Sequence, residues 1–483
     1  KAKILEALGS NGQVIIDVIP EVERIIGVQP DVPQLGPTES QNRFNRLFQQ
    51  FIHVFTKPEH PLVLFLDDLQ WADLASLKLI QLLACEPNSQ YLLLIGAYRD
   101  NEVSASHPLI LTLEEIQHKG AVVNNIVLQP LHITHVNQLI KDTFHSDTLK
   151  TISLAELVFN KTQGNPFFLT QLLKSLYNEN LLSFNFNQCC WEWDIKLLND
   201  IDITDNVVEL MINQIHKLSL KTQSILKLAA CIGDKFTLDI LGIVNQKSLS
   251  ETAADLWESL QTGLVLPLDQ SYKIPLVIST DRNEQLTNDL DAQAASRSVE
   301  QLTIAYKFLH DRVQQAAYAL IPDSQKKETH FKIGQLLLQN ITPEERKENI
   351  FALVNQLNYG TDLLTKKSEK YELAELNLIA GQKAKAAAAY ESAMRYLKVG
   401  LELLAVNSWQ NQYELTLALY ESGVETAYLN GDFEQMEKWA TVVLQQAKNP
   451  IDKMKVYEVK IQACMAQVKQ LEAIKIGLQA LEL

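Results

Sequence analysis

Apolar positions along this chain follow two rules. Near the start they come as short unbroken runs, Leu62-Val63-Leu64-Phe65-Leu66 and Leu92-Leu93-Leu94-Ile95, and elsewhere they recur at helical spacing. Five consecutive apolar residues without alternation are too few for an ordinary helix and fit a strand covered on both faces. Each run ends in polar residues: Asp67-Asp68 after the first, Arg99 and Asp100 after the second. Between them Asp73 stands where an N-cap belongs, ahead of the apolar stretch Leu74 to Leu83. Strand, helix, strand predicts a βαβ unit with parallel strands. Asn125 to Leu131 reads as another short strand.

The helical pattern begins earlier. Thr38 with Gln41 suggests a capping box for a helix over Arg43 to Phe55, whose Phe44, Leu47, Phe48, Phe51, Ile52 and Phe55 share one face. Gly164-Asn165-Pro166 ends one helix, Ile152 to Lys161, and opens the next, with Asn165 as cap and Pro166 in the first turn. Helical segments over Val207 to Lys217, Thr222 to Cys231, Leu238 to Val244 and Glu251 to Gln261 suggest a winged-helix domain. Its last helix carries Glu251, Asp255 and Glu258 and no basic residue, which fits an internal packing module better than a DNA reader. Residues 281–300 are polar and read as a mobile insertion. Beyond about residue 325 the pattern is helical, and Tyr390-Glu391-Ser392-Ala393, Phe433-Glu434-Gln435-Met436 and Leu471-Glu472-Ala473-Ile474 recur, each opening a helix. They resemble degenerate tetratricopeptide repeats, helix pairs that stack into a solenoid.

Composition narrows the classes. The chain has 483 residues, long enough for about three domains, and only 17 glycines, which favours helix. A net charge of −15 argues against sequence-independent attraction to nucleic acid or anionic lipid. Cys85, Cys189, Cys190, Cys231 and Cys464 show no metal-binding spacing and are expected to be ordinary thiols of a reducing compartment. No apolar run approaches a membrane span and no signal pattern opens the chain, so a cytoplasmic location without membrane insertion is expected. The start inside a helical pattern and the abrupt last repeat suggest a segment of a longer chain.

The chemistry concentrates at Asp67-Asp68. A buried strand ending in two acids is the Walker B arrangement, and acids at a parallel strand's carboxyl end face the ligand side of the sheet. Asp67 would hold Mg²⁺ and Asp68 would orient or deprotonate the attacking water. The plainer account is that both acids end a strand in a turn. Arg99 could reach a γ-phosphate with its fixed guanidinium fork, or pair with Asp100 or Glu102. The G-x-x-x-x-G-K-[ST] loop that cradles phosphates is absent from the sequence, so the segment alone is expected to bind ATP poorly. His310 and Asp311 have no nucleophile beside them and read as capping or ion-pairing residues.

Leu64 to Asp73, Ile95 to Asp100 and Gly164 to Phe168 resemble the ATPase modules of the STAND class, signal-transduction NTPases related to AAA+ proteins. The closer similarity is to the AAA-type ATPase segment of large bacterial multi-sensor kinases, which Phe308 to Tyr318 and Ile350 to Asn358 also resemble. That resemblance implies ATP and Mg²⁺ as cofactors, an upstream P-loop, Pro166 against the nucleotide base beside Asn165, and a lid helix from Phe167 to Tyr177. It implies an α/β P-loop NTPase core with a partial parallel sheet (residues 1–135), a helical lid (136–203), a winged-helix-like domain (204–322) and an all-α repeat region (323–483). The function implied is an ATP-dependent regulatory switch within a signal-transduction kinase, with protein partners at the repeats and flanking kinase and sensor domains. Two alternatives stand beside it: a non-enzymatic scaffold with a degenerate ATPase fold, and a fragment of a STAND-type transcriptional activator.

Overall fold

The computed structural model describes residues 1–33, 37–86, 90–104, 107–200, 204, 206–268, 304–387 and 389–482. The polar segment 281–300 lies outside them. Two compact units emerge: Lys1–Asn125 with Glu344–Val354 and Thr361–Leu483, and Ile126–Pro343 with Asn355–Gly360. The fold is mostly helical.

In the first unit, short helical turns over the first 26 residues bury Ile4, Leu8, Ile15, Ile16, Val22 and Ile26 against Leu47 and Phe51 of helix α1 (Pro37–His53). The helix begins before Thr38, so the predicted capping box falls inside its first turn rather than ahead of it. Strand β1 (Leu62–Leu66) and strand β2 (Leu92–Gly96) pair in parallel, Leu62 opposite Leu92 through Leu66 opposite Gly96. They flank helix α2 (Leu74–Ala84), whose first turn is fixed by Asp73: Ser76 N donates to its Oδ1 at 2.7 Å. Helix α3 (Pro108–His118) follows and packs on α2. Among the described residues this sheet has these two strands. Val63 and Leu93 are 53% and 55% exposed and Phe65 is 61% exposed, so one apolar face of the pair is open.

Residues 121–132 form no strand, against expectation. A strand exists only within a ladder, this segment pairs with neither β1 nor β2, and Pro130 lacks an N–H. Ile126 and Leu128 are accordingly left 82% and 88% exposed.

The second unit opens with helices α4 (Ile133–Phe144), α5 (Thr148–Thr162) and α6 (Pro166–Asn178). A hairpin absent from the sequence expectations follows, β3 (Leu182–Asn185) antiparallel to β4 (Cys190–Trp193), its Trp191 ring packed on Phe144, Tyr177 and Phe184. Helices α7 (Val207–His216) and α8 (Leu220–Ile232), strand β5 (Lys235–Thr237), helices α9 (Leu238–Asn245) and α10 (Leu249–Gln261), and strands β6 (Val265–Pro267) and β7 (Ala305–Phe308) come next. The three strands form an antiparallel sheet in the order β5-β7-β6. Phe308 therefore ends a strand, and helix α11 (Asp311–Ala319) starts after it, with His310 as N-cap.

The acids of α10 are used internally. Glu251 closes a capping box with Ser248, Asp255 pairs with Lys247 at 2.6 Å, and Glu258 accepts from Ser219 N at 2.8 Å and Thr222 Oγ1 at 3.0 Å. The Ser248 bonds hold the Glu251 carboxyl below its usual range, and the Ser219 amide does the same for Glu258.

A polar chain crosses this unit. Tyr318 Oη lies 3.0 Å from His330 Nε2, His330 Nδ1 lies 2.7 Å from Gln356 Oε1, and Gln356 Nε2 donates to the Cys231 carbonyl at 2.7 Å. The Gln356 oxygen can only accept, so His330 Nδ1 carries the proton in this arrangement. His330 sits on helix α12 (Asp323–Asn340) and is 8% exposed, as is Gln356.

Returning to the first unit, helices α13 (Lys367–Ala386), α14 (Tyr390–Leu403), α15 (Tyr413–Leu429), α16 (Phe433–Gln446), α17 (Pro450–Ala466) and α18 (Gln470–Leu481) pack as successive neighbours. The recurring sequence groups do open helices, at Tyr390, Phe433 and Gln470. Val424, Met436, Ala440, Val443, Val456 and Val459 build a continuous apolar seam from one helix pair to the next.

Candidate functional site at the strand tips

The ends of β1 and β2 bring Asp67, Asp68 and Arg99 together. Leu69 N donates to the Ala97 carbonyl at 2.9 Å and Ala97 N to the Leu66 carbonyl at 2.8 Å, so the ladder continues past both strands. The Leu69 side chain packs close over Gly96: a Cβ there would lie 2.5 Å from Leu69 Cδ1 and would push that side chain aside. Asp68 adopts a left-handed conformation, φ 56° and ψ 40°, which turns the chain sharply after the strand.

The two acids differ in their surroundings. Asp67 is exposed, and among the described residues its Oδ1 accepts the adjacent Asp68 amide, at 3.1 Å. Asp68 is half-buried; Gln70 Nε2 donates to its Oδ1 at 2.8 Å, and Arg99 Nη2 lies 3.6 Å away. Arg99 also donates to Glu102 at 3.0 Å and lies over the Trp71 ring, 5.3 Å from its centre. Its partners thus include Glu102, one of the acids expected, together with Asp68.

Gln70 is the residue sequence reasoning missed. It is 6% exposed, and it ties the two strand tips together: its Nε2 holds Asp68 while its Oε1 accepts the Arg99 amide at 3.2 Å. An amide in a polar loop carries no sequence signal of such a role. Its burial is the signal, and burial comes from the turn at Asp68.

The donor set suits a magnesium ion that arrives with a nucleotide. Mg²⁺ keeps several waters and takes one or two carboxylates plus phosphate oxygens. Asp67, with an exposed carboxylate whose second oxygen is uncommitted, fits that demand, and Asp68 stands beside it. Bound Mg²⁺ would neutralise phosphate charge. Among the described residues no group of three or more His, Cys, Asp or Glu forms a metal cage.

Asn165 and Pro166 belong to the other unit. Asn165 Oδ1 accepts from Phe168 N at 2.9 Å and Pro166 fills the first turn of α6, the capping roles read from sequence. Gly164 (φ 74°) precedes them, and Leu131 N donates to its carbonyl at 2.9 Å. Within the same unit the next residue, Phe167, stacks on His310, ring centres 4.1 Å apart. His310 Nδ1 accepts from Arg312 N at 3.2 Å, so helix capping accounts for it, with the Asp311 carboxylate in contact.

Residues 2–95 match the AAA ATPase domain family, which places the β1 acids inside the matched span. The chain is also 28% identical, over 540 residues, to the "Hybrid signal transduction histidine kinase G" of Dictyostelium discoideum, an alignment covering 93% of this chain. It spans 16% of the length of that relative. A crystal structure of a Signal Transduction ATPase with Numerous Domains (STAND) protein with a tetratricopeptide repeat sensor, from Pyrococcus horikoshii, aligns with 91% of this chain and 58% of its own. The TM-score there is 0.37 at 12% identity, an overlap that does not by itself define a shared fold. Among the described residues no helix is long and apolar enough to cross a membrane.

Proposed function

We propose that this chain is the ATP-dependent regulatory switch segment of a multidomain signal-transduction protein, a histidine kinase by the printed name of its Dictyostelium relative. The observation that carries the reading is the exposed Asp67 carboxylate at the carboxyl end of a parallel strand, with Asp68 beside it in a span that matches an AAA ATPase domain and Arg99 just past the end of that span. Asp67 would hold Mg²⁺, Arg99 would meet phosphate, and Asp68 would position water, with hydrolysis slow and regulatory. The phosphate-cradling loop would come from another segment, packed on the open face of Val63, Phe65 and Leu93. Asn165 and Pro166 would meet the nucleotide base, in addition to their capping roles.

Two further parts complete the proposal. The order helix, strand, two helices, strand, strand with a β5-β7-β6 sheet supports a winged-helix-like domain over residues 204–322, and the internal use of the α10 acids supports a packing role without nucleic acid. The successive packing of neighbouring helices from Lys367 on supports tetratricopeptide-like repeats over residues 323–483 that receive protein partners. The scaffold reading draws on one observation, the engagement of Asp68 by Gln70 and Arg99.

Titration of the multidomain protein with Mg·ATP tests the choice. Asp67→Asn should weaken magnesium-dependent ATP binding, and Asp68→Asn should keep binding while ending turnover. Absence of any nucleotide binding in the unaltered protein leaves the scaffold.

A further inference from the structure

In the first unit, helices α1, α2 and α3 and the turns that open α14 and close α15 surround a half-open cavity of about 440 Å³. That lies in the range of small-molecule sites, roughly 300–1,000 Å³. Phe44, Leu79 and Leu429 give it apolar lining. Its polar lining divides into groups already satisfied and groups left over.

Lys78 Nζ donates to Gln81 Oε1 at 2.6 Å, and Gln81 Nε2 donates to Glu115 Oε2 at 2.5 Å. Gln81 is 2% exposed, so this amide relay sets the lining's ammonium against one of its carboxylates. Among the described residues two lining carboxylates have capacity left over: Asp73 caps α2 through Oδ1, and Glu391 stands at the start of α14. Tyr390 donates its hydroxyl to Gln41, and Gln41 Nε2 donates to Asn45 Oδ1 at 2.9 Å, which leaves the Asn45 amide N–H groups for an occupant.

We infer that this cavity binds a small organic cation, a metabolite with a primary amine or guanidinium at one end and hydrogen-bonding or apolar groups behind it. Asp73 and Glu391 meet the cation, and Asn45 and Tyr390 orient the rest over Phe44 and Leu79. An occupant would touch both α2, the helix that directly follows Asp67 and Asp68, and the first turn of α14. The inference goes beyond the nucleotide reading and needs no nucleotide to be tested.

Isothermal titration of this chain with putrescine, spermidine and L-arginine, and with L-glutamate and glucose as acidic and neutral controls, decides it. At least one amine should bind saturably while glutamate does not. Glu391→Gln and Asp73→Asn keep side-chain shape, and Asn still caps a helix, so folding should persist while affinity falls at least tenfold. Ala75→Trp, which fills the cavity, should abolish binding in a chain whose circular dichroism is unchanged. Failure of every amine to saturate, equal binding of glutamate, or affinity retained in all three variants would overturn the inference.

Discussion

Replacing Gly164 by alanine isolates what the Gly-Asn-Pro motif does for the second unit. The backbone there has φ 74°, and an alanine Cβ would lie 2.1 Å from the Leu131 carbonyl oxygen and 3.0 Å from its nitrogen. A left-handed conformation costs an L-residue about 1–2 kcal/mol. The contact is with backbone, so the 131 and 164 segments must separate and their 2.9 Å hydrogen bond is lost, about 1 kcal/mol more. The expected loss is about 2–3 kcal/mol, a large fraction of a domain's stability. Gly263→Ala is the internal control: it has φ 71° in the same unit but nothing within 4 Å of its Cβ, so it carries the backbone term alone. Urea unfolding followed by circular dichroism compares the two. If Gly164→Ala costs no more than Gly263→Ala, the close approach of Leu131 is wrong.

Gln356→Leu should destabilise by about 1–3 kcal/mol, because it strands the His330 Nδ1–H and the Cys231 carbonyl without partners; an unchanged urea midpoint would contradict the polar chain. Burial pushes the Cys231 thiol up to about 12, so iodoacetamide at neutral pH should label exposed Cys189 first and reach Cys231 only after unfolding, as read by peptide mass. Burial, reinforced by Asp452, Glu425 and Glu414 and opposed by Lys455, raises the Glu421 carboxyl. The folded state therefore takes up a proton more readily than the unfolded one, and this carboxylate's destabilising contribution shrinks as pH falls toward its raised value. Glu421→Gln should raise the unfolding midpoint at pH 7, by less than about 1 kcal/mol after screening, and the gain should fade on acidification.

How much was legible in the sequence depended on where each element finds its partners. The runs at Leu62 and Leu92, the cap at Asp73 and the helix starts at Tyr390 and Phe433 are local signals, and the structure has those elements. The hairpin over Leu182–Trp193 carries a local signal too, since Phe184 with Phe186 and Trp191 with Trp193 alternate. Asn125 to Leu131 had the composition of a strand but pairs with no strand among the described residues. Gln70 and the Phe167–His310 stack were beyond local reading, because each depends on residues brought together by the fold.

The open face of the β1–β2 pair also bears on how copies of this chain behave in solution. Val63, Phe65, Leu93 and Ile95 are exposed there, beside strand edges able to accept further ladder bonds, which makes it an adhesive surface. What opposes adhesion is a net charge of −15, and repulsion between copies is screened beyond about 8 Å at physiological salt. Raising ionic strength should therefore promote self-association, whereas dilute buffer should keep the molecules apart.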